Sequence, residues 1–233
     1  MKTSKKVVAI IPAKSISRRV PHKNMRELSG RPLLFYSINA ALKSSLIDEV
    51  YVSTDSPEIQ KYAESLGAKA PFLRPPEQCA DNVHSSVPIL DMLEKTGGTK
   101  RYSYCVGMLP TTPFRTVEAL DKIIKLSQQN KRNVLSVMSL GCTFPHLRIM
   151  SKDGGLNQLT EKPVRNFQTQ DFPNLFSLAG VAQCAPVDKL LKQKTFHYGS
   201  PLGYEITRWE GFDIDTEEDF LFAEKLAKIT KNV

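Results

Sequence analysis

Short apolar runs alternate along this chain with longer stretches of helical spacing. Val7–Ile11, Glu49–Ser53, Tyr102–Gly107 and Val134–Ser139 are rich in β-branched and aromatic residues and predict strands. Between them, Pro32–Lys43, Pro57–Leu66, His84–Glu94 and Val117–Gln128 predict helices. In the first of these, Leu33, Leu34, Tyr36, Ile38, Ala41 and Leu42 recur with a helical period, and Pro32 suits a first-turn position. The second opens on Ser56-Pro57-Glu58, a cap followed by proline and an acid. This alternation predicts an α/β fold, Rossmann-like, with a mostly parallel sheet and helices on both faces. Such folds bind ligands beyond the carboxyl ends of their strands. Residues 13–24, Ser53-Thr54-Asp55 and Leu109-Pro110-Thr111 fall there.

The rhythm breaks after Ser139. Residues 140–180 are richer in proline, glycine and glutamine, with short strands expected near Leu147–Met150 and Leu156–Leu159. A strand near Gly180–Cys184 and a helix at Val187–Leu191 resume the pattern. After Gly211-Phe212-Asp213-Ile214-Asp215, Thr216 reads as a cap and a final helix runs to about Ile229, with Glu217, Glu218 and Asp219 favouring its first turn through the helix dipole. The 233 residues predict one domain, 1–233, with 140–180 as an insertion inside it.

A hydrophobic content of 41% supports a sizeable core. The net charge of +8 points to an anionic partner. The basic residues are dispersed and no aromatic RNA motif accompanies them, so a small anion is expected rather than nucleic acid. Cys79, Cys105, Cys142 and Cys184 show no paired spacing for zinc or redox chemistry, and three of them sit among apolar neighbours as buried thiols. The first apolar run is too short for a signal peptide, and no run reaches membrane-spanning length. A cytoplasmic protein without membrane contact is the expectation.

Two constellations carry candidate chemistry. The first strand empties into a loop holding Lys14, Arg18, Arg19 and Lys23, with no carboxylate among them and with hydroxyls at Ser15 and Ser17. Lys and Arg make charge-assisted bonds to phosphate oxygens. The loop is not a Walker loop, since no glycine occurs before Gly30, so side chains must do more of the binding. Asp213 and Asp215 form the second. On an extended segment they share a face, offering two hard oxygen ligands of the kind Mg²⁺ takes. The alternative is a turn with solvated carboxylates. His22, His84, His146 and His197 have no ligand spacing.

The loop Ile11-Pro12-Ala13-Lys14-x-x-Ser17-Arg18-x-x-Pro21-x-Lys23-Asn24 resembles the signature of the acylneuraminate cytidylyltransferases, the CMP-sialic acid synthetase family. The likeness continues through Leu28-x-Gly30-x-Pro32-Leu33, Val52-Ser53-Thr54-Asp55, Gly67-Ala68 and Leu73-Arg74-Pro75, then Asp81, Pro110-Thr111-Thr112-Pro113-Phe114-Arg115 and Asp213-Ile214-Asp215-Thr216-Glu217-x-Asp219-Phe220. Such enzymes join a sugar acid to CTP, release pyrophosphate and need Mg²⁺. The resemblance implies a nucleotide-diphospho-sugar transferase fold. It implies that Ala13, Lys14, Ser17, Arg18, Lys23, Asn24, Arg74 and Ser85 bind CTP, with Lys14, Lys23 and Asp213 catalytic. It assigns metal to Asp213 and Asp215, and an anionic acceptor to Leu109, Thr111, Arg165 and Gln170. The insertion at 140–180 would be a dimerisation arm, its Phe144, Leu147, Phe167, Phe172 and Phe176 buried in a homodimer.

Departures concentrate on the acceptor side. Lys14 stands for the family's usual arginine, Leu109 for a glutamine, and Ala179-Gly180-Val181-Ala182-Gln183 for an Asn-Gly-x-x-Tyr pattern. Both Leu109 and Ala179 make the expected acceptor pocket more apolar. A nonulosonic acid is the expected acceptor. The alternatives are a shorter sugar acid, a phosphonate, or a non-catalytic nucleotide-binding relative.

Overall fold

A computed structural model describes residues 6–80, 82–159 and 168–230. β1 (Lys6–Pro12) leads to a hairpin of β2 (Glu27–Leu28) and β3 (Arg31–Pro32), then to α1 (Leu33–Lys43). Next come β4 (Glu49–Ser53), α2 (Pro57–Ser65), α3 (Ser86–Lys95), the single turn α4 (Gly98–Arg101) and β5 (Tyr102–Gly107). They are followed by α5 (Val117–Asn130), β6 (Val134–Ser139), a hairpin of β7 (Arg148–Met150) and β8 (Leu156–Gln158), and β9 (Phe176–Pro186). α6 (Val187–Gln193), β10 (Leu202–Glu205) and α7 (Glu217–Thr230) complete the order.

The central sheet runs β10-β6-β9-β5-β1-β4. β1 is parallel to β4 and β5, and β10 to β6, while β9 runs antiparallel to both of its neighbours. β1 has almost no exposed face, and its alternation sorts two cores. Val7, Ala9 and Ile11 pack with Leu34 and Ile38 of α1, Ile59 of α2 and Leu120, Ile123 and Ile124 of α5. Val8 and Ile10 pack on the opposite face with Ile89, Met92 and Leu93 of α3 and Leu190 of α6. A third cluster seats Phe220, Ala223 and Leu226 of α7 against Val20, Leu28, Leu33 and Phe114. Ile214 is fully buried in that cluster, so the packing of α7 fixes the aspartates on either side of it.

The α/β class and the four anticipated parallel strands are present, and the expected helices form within two residues of their anticipated ends. Ser56 and Thr116 cap α2 and α5, accepting hydrogen bonds from the amides of Ile59 and Ala119. Some elements depart from expectation. β9 begins four residues early, because Phe176–Ala179 pairs alongside β6 as it leaves the insertion. β10 was not anticipated; it is a four-residue edge strand without an apolar run. Phe212–Asp215 forms no strand. Cys105 and Cys184 are buried, whereas Cys79 and Cys142 are half-exposed, so two thiols are buried rather than three. In the insertion, Phe144, Leu147 and Phe172 are half-buried and Phe176 is exposed; Phe167 lies outside the described residues.

Candidate active site

The carboxyl ends of β1, β4 and β5 open onto one cleft of about 330 Å³. Its walls include Lys14, Ser17, Lys23, Asn24, Arg74, Ser85, Leu109, Thr111, Asp213 and Asp215. Beside it lies a basic hollow of about 480 Å³ lined by Lys14, Ser17, Arg18, Arg19, Val20 and Lys23. A third hollow, of about 420 Å³, is walled by Met138, Leu140, Leu178, Ala179, Arg208 and Phe212, and it shares Asp213 with the first.

The glycine-free loop is held by its neighbours instead of by glycine geometry. Ala13 N–H donates to the Ser53 carbonyl at 2.8 Å, continuing the β1–β4 ladder. Asp55 then takes both donors of Ser15, the amide at 2.7 Å and Oγ at 2.6 Å. Burial works to raise the Asp55 carboxyl, but the two Ser15 bonds and the Arg74 charge prevail and hold it below the ordinary range. Buried Asn24 donates from Nδ2 to the Lys14 carbonyl at 2.8 Å and closes the loop from its other end. Arg74 is buried, and its Nη2 donates to the Ser53 carbonyl at 2.6 Å.

The facing wall descends from the start of α7. Thr216 and Asp219 form a reciprocal cap: Asp219 N–H donates to Thr216 Oγ1 at 3.1 Å, and the Asp219 carboxylate accepts from the amides of Asp215 at 3.0 Å and Thr216 at 2.8 Å. Ile214 N–H donates to the Thr111 carbonyl at 2.9 Å. Lys23 Nζ spans the two walls, donating to the Ile214 carbonyl at 2.7 Å and to Asp215 Oδ1 at 3.1 Å. Arg19 lies 3.4 Å from the other Asp215 oxygen.

Asp213 is open to the cleft, yet protein crowds it. Loss of water raises its carboxyl above the usual range, and the Asp215 charge adds to this against a hydrogen bond from Thr111. Both aspartates line the cleft although no strand orders them, because buried Ile214 points the opposite way. The pair supplies too few ligands for a closed metal cage, and no group of three metal-binding side chains exists among the described residues. Two carboxylates completed by phosphate oxygens and water fit Mg²⁺, which keeps a partly hydrated oxygen shell.

Arg115 closes the Pro110–Arg115 segment and had no role from the sequence. Fully enclosed, it donates to the carbonyls of Val181 at 2.6 Å and Thr112 at 3.1 Å, and also to the Leu109 carbonyl and Thr112 Oγ1. Burial pulls its pKa down to about 9, which the Asp213 charge opposes. Arg115 thereby ties the 109–112 loop to β9. Its signal in the sequence was a lone cation in the apolar, proline-rich Pro113-Phe114-Arg115.

A cytidylyltransferase family model matches residues 8–173. The chain belongs to the cytidylyltransferase family. It is 30% identical over 232 residues to a CMP-N,N'-diacetyllegionaminic acid synthase from Legionella pneumophila, covering 97% of this chain and 98% of that one. It is 28% identical to a pseudaminic acid cytidylyltransferase from Campylobacter jejuni, covering 96% and 97%. A solved CMP:2-keto-3-deoxy-manno-octonic acid synthetase complexed with CTP shares the fold, with a TM-score of 0.71 at 14% identity, covering 98% of this chain and 100% of that one.

Not every anticipated residue of the cytidylyltransferase reaches the cleft. Ala13 is buried with its N–H bonded to Ser53, so its side chain is a core residue. Arg18 lines the basic hollow rather than the main cleft. Leu109 and Thr111, anticipated as acceptor contacts, line the main cleft. Gln170 stands in a short 3₁₀ turn at Thr169–Asp171, is exposed, donates from Nε2 to Gln168 Oε1 and lines none of the three hollows. Arg165 lies outside the described residues. Asp55, Arg115 and Arg208 are the additions that geometry makes.

Proposed function

We propose that this cytidylyltransferase transfers CMP from CTP to a nonulosonic acid of the legionaminic or pseudaminic type, using Mg²⁺ and acting as a homodimer in the cytoplasm. One observation carries the reading: Asp213 lines both the nucleotide-side cleft and the apolar hollow beside it. An acceptor hydroxyl offered from one and an α-phosphorus offered from the other meet at this carboxylate.

Lys14, Ser17, Arg18 and Lys23 bind the phosphates, and the Asp55 and Asn24 contacts hold their loop in shape. The acceptor hydroxyl oxygen bonds to the α-phosphorus, the α–β phosphoanhydride P–O bond breaks, and pyrophosphate leaves. Asp213 holds the proton given up by the hydroxyl. Charge growing on the leaving group meets Lys14, Arg18 and Lys23, fixed donors of the kind that lower such barriers. Asp213 and Asp215 would hold Mg²⁺, which when bound neutralises phosphate charge and acts as a Lewis acid.

The named acceptors of the two relatives support a nonulosonic acid over a short acid or a phosphonate. Leu109, Ala179 and the apolar hollow suit acyl methyls and deoxygenated carbons better than a polyhydroxylated chain. Buried polar groups without partners cost about 1–3 kcal/mol each, so N-acetylneuraminate should be a poorer acceptor by roughly 10²-fold or more. Exposed Ile149, Met150 and Leu156 on the β7–β8 hairpin support an arm that packs on a second copy. The test is pyrophosphate release with CTP, Mg²⁺ and a panel of N,N'-diacetyllegionaminic, pseudaminic and N-acetylneuraminic acids and a phosphonate. Release with one of the first two is expected; no release with any acid overturns the reading.

A further inference from the structure

We propose that Arg208 is the side chain that grips the carboxylate of the acceptor. The inference rests on the transfer reaction above and adds the residue that orients its second substrate. Arg208 is the only cation among the described residues lining the apolar hollow that borders Asp213. The remaining wall is largely Met138, Leu140, Leu178 and Phe212, against which an unpaired carboxylate would lose solvation without compensation.

The turn that carries Arg208 is built to present it. Glu210, two residues on, is engaged elsewhere: its carboxylate accepts from Thr207 N–H at 3.1 Å, Thr207 Oγ1 at 2.9 Å and Thr116 Oγ1 at 2.7 Å. Gly211 N–H donates to the Thr207 carbonyl at 3.1 Å, and Phe212 N–H to the Trp209 carbonyl at 3.2 Å. Glu210 therefore ties the turn to the head of α5 instead of neutralising the arginine. Among the described residues no carboxylate pairs with Arg208; its Nη2 makes one long contact, 3.4 Å, to the Leu140 carbonyl. Gly141 leaves the room for this, since a Cβ there would lie 2.5 Å from Nη2.

A guanidinium on a braced turn offers a planar fork that matches a carboxylate with two parallel bonds. Asp213, on the same hollow, repels that carboxylate and accepts a hydroxyl. The two charges thus orient an acid that carries its attacking hydroxyl beside its carboxylate. No sequence motif marks Arg208, which sits five residues before Asp213.

Steady-state kinetics of Arg208→Ala and Arg208→Lys test the assignment, using the acid that the unmodified enzyme turns over best in the panel. Arg208→Ala should raise KM for the acid at least tenfold, with KM for CTP and the thermal midpoint unchanged. Arg208→Lys should recover part of that loss. The carboxamide of the same acid should inhibit the unmodified enzyme and Arg208→Ala equally. An acid KM within twofold of the unmodified enzyme in Arg208→Ala overturns the assignment and leaves the transfer reaction standing. An unmodified enzyme that uses no acid overturns the transfer reaction, and this assignment with it.

Discussion

Removing the Asp55 carboxylate should loosen the phosphate loop without touching a phosphate ligand. In Asp55→Ala, Ser15 loses both acceptors, at 2.7 and 2.6 Å. A hydrogen bond to a charged group is worth about 1.5–3 kcal/mol, and solvent competes at this half-exposed position, so the pair is taken together as about 2 kcal/mol. A factor of ten corresponds to about 1.4 kcal/mol, which makes CTP binding roughly 30-fold weaker when the phosphates must order the loop themselves. Asp55→Asn keeps the shape and one acceptor, and should lose about fivefold. Because the folded carboxyl titrates below its ordinary range, the clamp is complete at neutral pH and is lost only as pH falls through that depressed value. Titration calorimetry with CTP measures this. Affinity within twofold of the unmodified protein in Asp55→Ala would refute the clamp.

Asp213→Asn and Asp215→Asn should each lower kcat by about 10² or more, the scale of losing one electrostatic stabiliser; full turnover in both, or in excess chelator, contradicts their role. At the opposite end of the sheet, buried Glu49 accepts from Lys6 at 2.7 Å, Arg101 at 2.6 Å and Lys69 at 3.2 Å, and from the hydroxyls of Tyr51 and Tyr102. Burial opposes these contacts, but together they hold its carboxyl far below the usual range. Its contribution is therefore complete above about pH 4.3, the ordinary glutamate pKa, and disappears as pH falls through the depressed folded value. Glu49→Gln should cost about 2–4 kcal/mol at pH 7 in urea unfolding, and an unchanged midpoint would argue against it. Sedimentation at micromolar concentration should give a dimer, and Met150→Glu with Leu156→Glu should give monomer; a monomeric parent protein contradicts the arm contact.

The sheet core was legible because buried parallel strands advertise themselves. Val7–Ile11 and Val50–Val52 have apolar side chains toward both faces, and segments of helical period follow each of them. The basic loop was legible for a related reason: four cations without a carboxylate are unusual beside a buried strand. β10 was not, because its alternation, Leu202 and Tyr204 toward the core and Gly203 and Glu205 exposed, spans only four residues and is completed by backbone pairing with β6. The sequence paired the two aspartates on the condition of an extended segment, and the structure lines one cleft with both without a strand. Their common side comes from burial of Ile214 and from the Thr216–Asp219 cap, not from a strand. Asp55 and Arg115 stood inside matched segments, but their partners are 40 and up to 66 residues away, beyond any local pattern. Arg208 left no trace in the sequence, since its meaning depends on what Glu210 and Gly141 do around it.

Transfer of CMP differs from binding or hydrolysis of CTP in the products it leaves. Phosphorus NMR of CTP mixed with the protein, Mg²⁺ and N,N'-diacetyllegionaminic or pseudaminic acid tests it most directly. Transfer should give one new phosphodiester resonance from a CMP-linked acid, growing in equal amount with inorganic pyrophosphate and only when the acid is present. Pyrophosphate accompanied by free CMP, or a CTP spectrum unchanged by any acid, would contradict it.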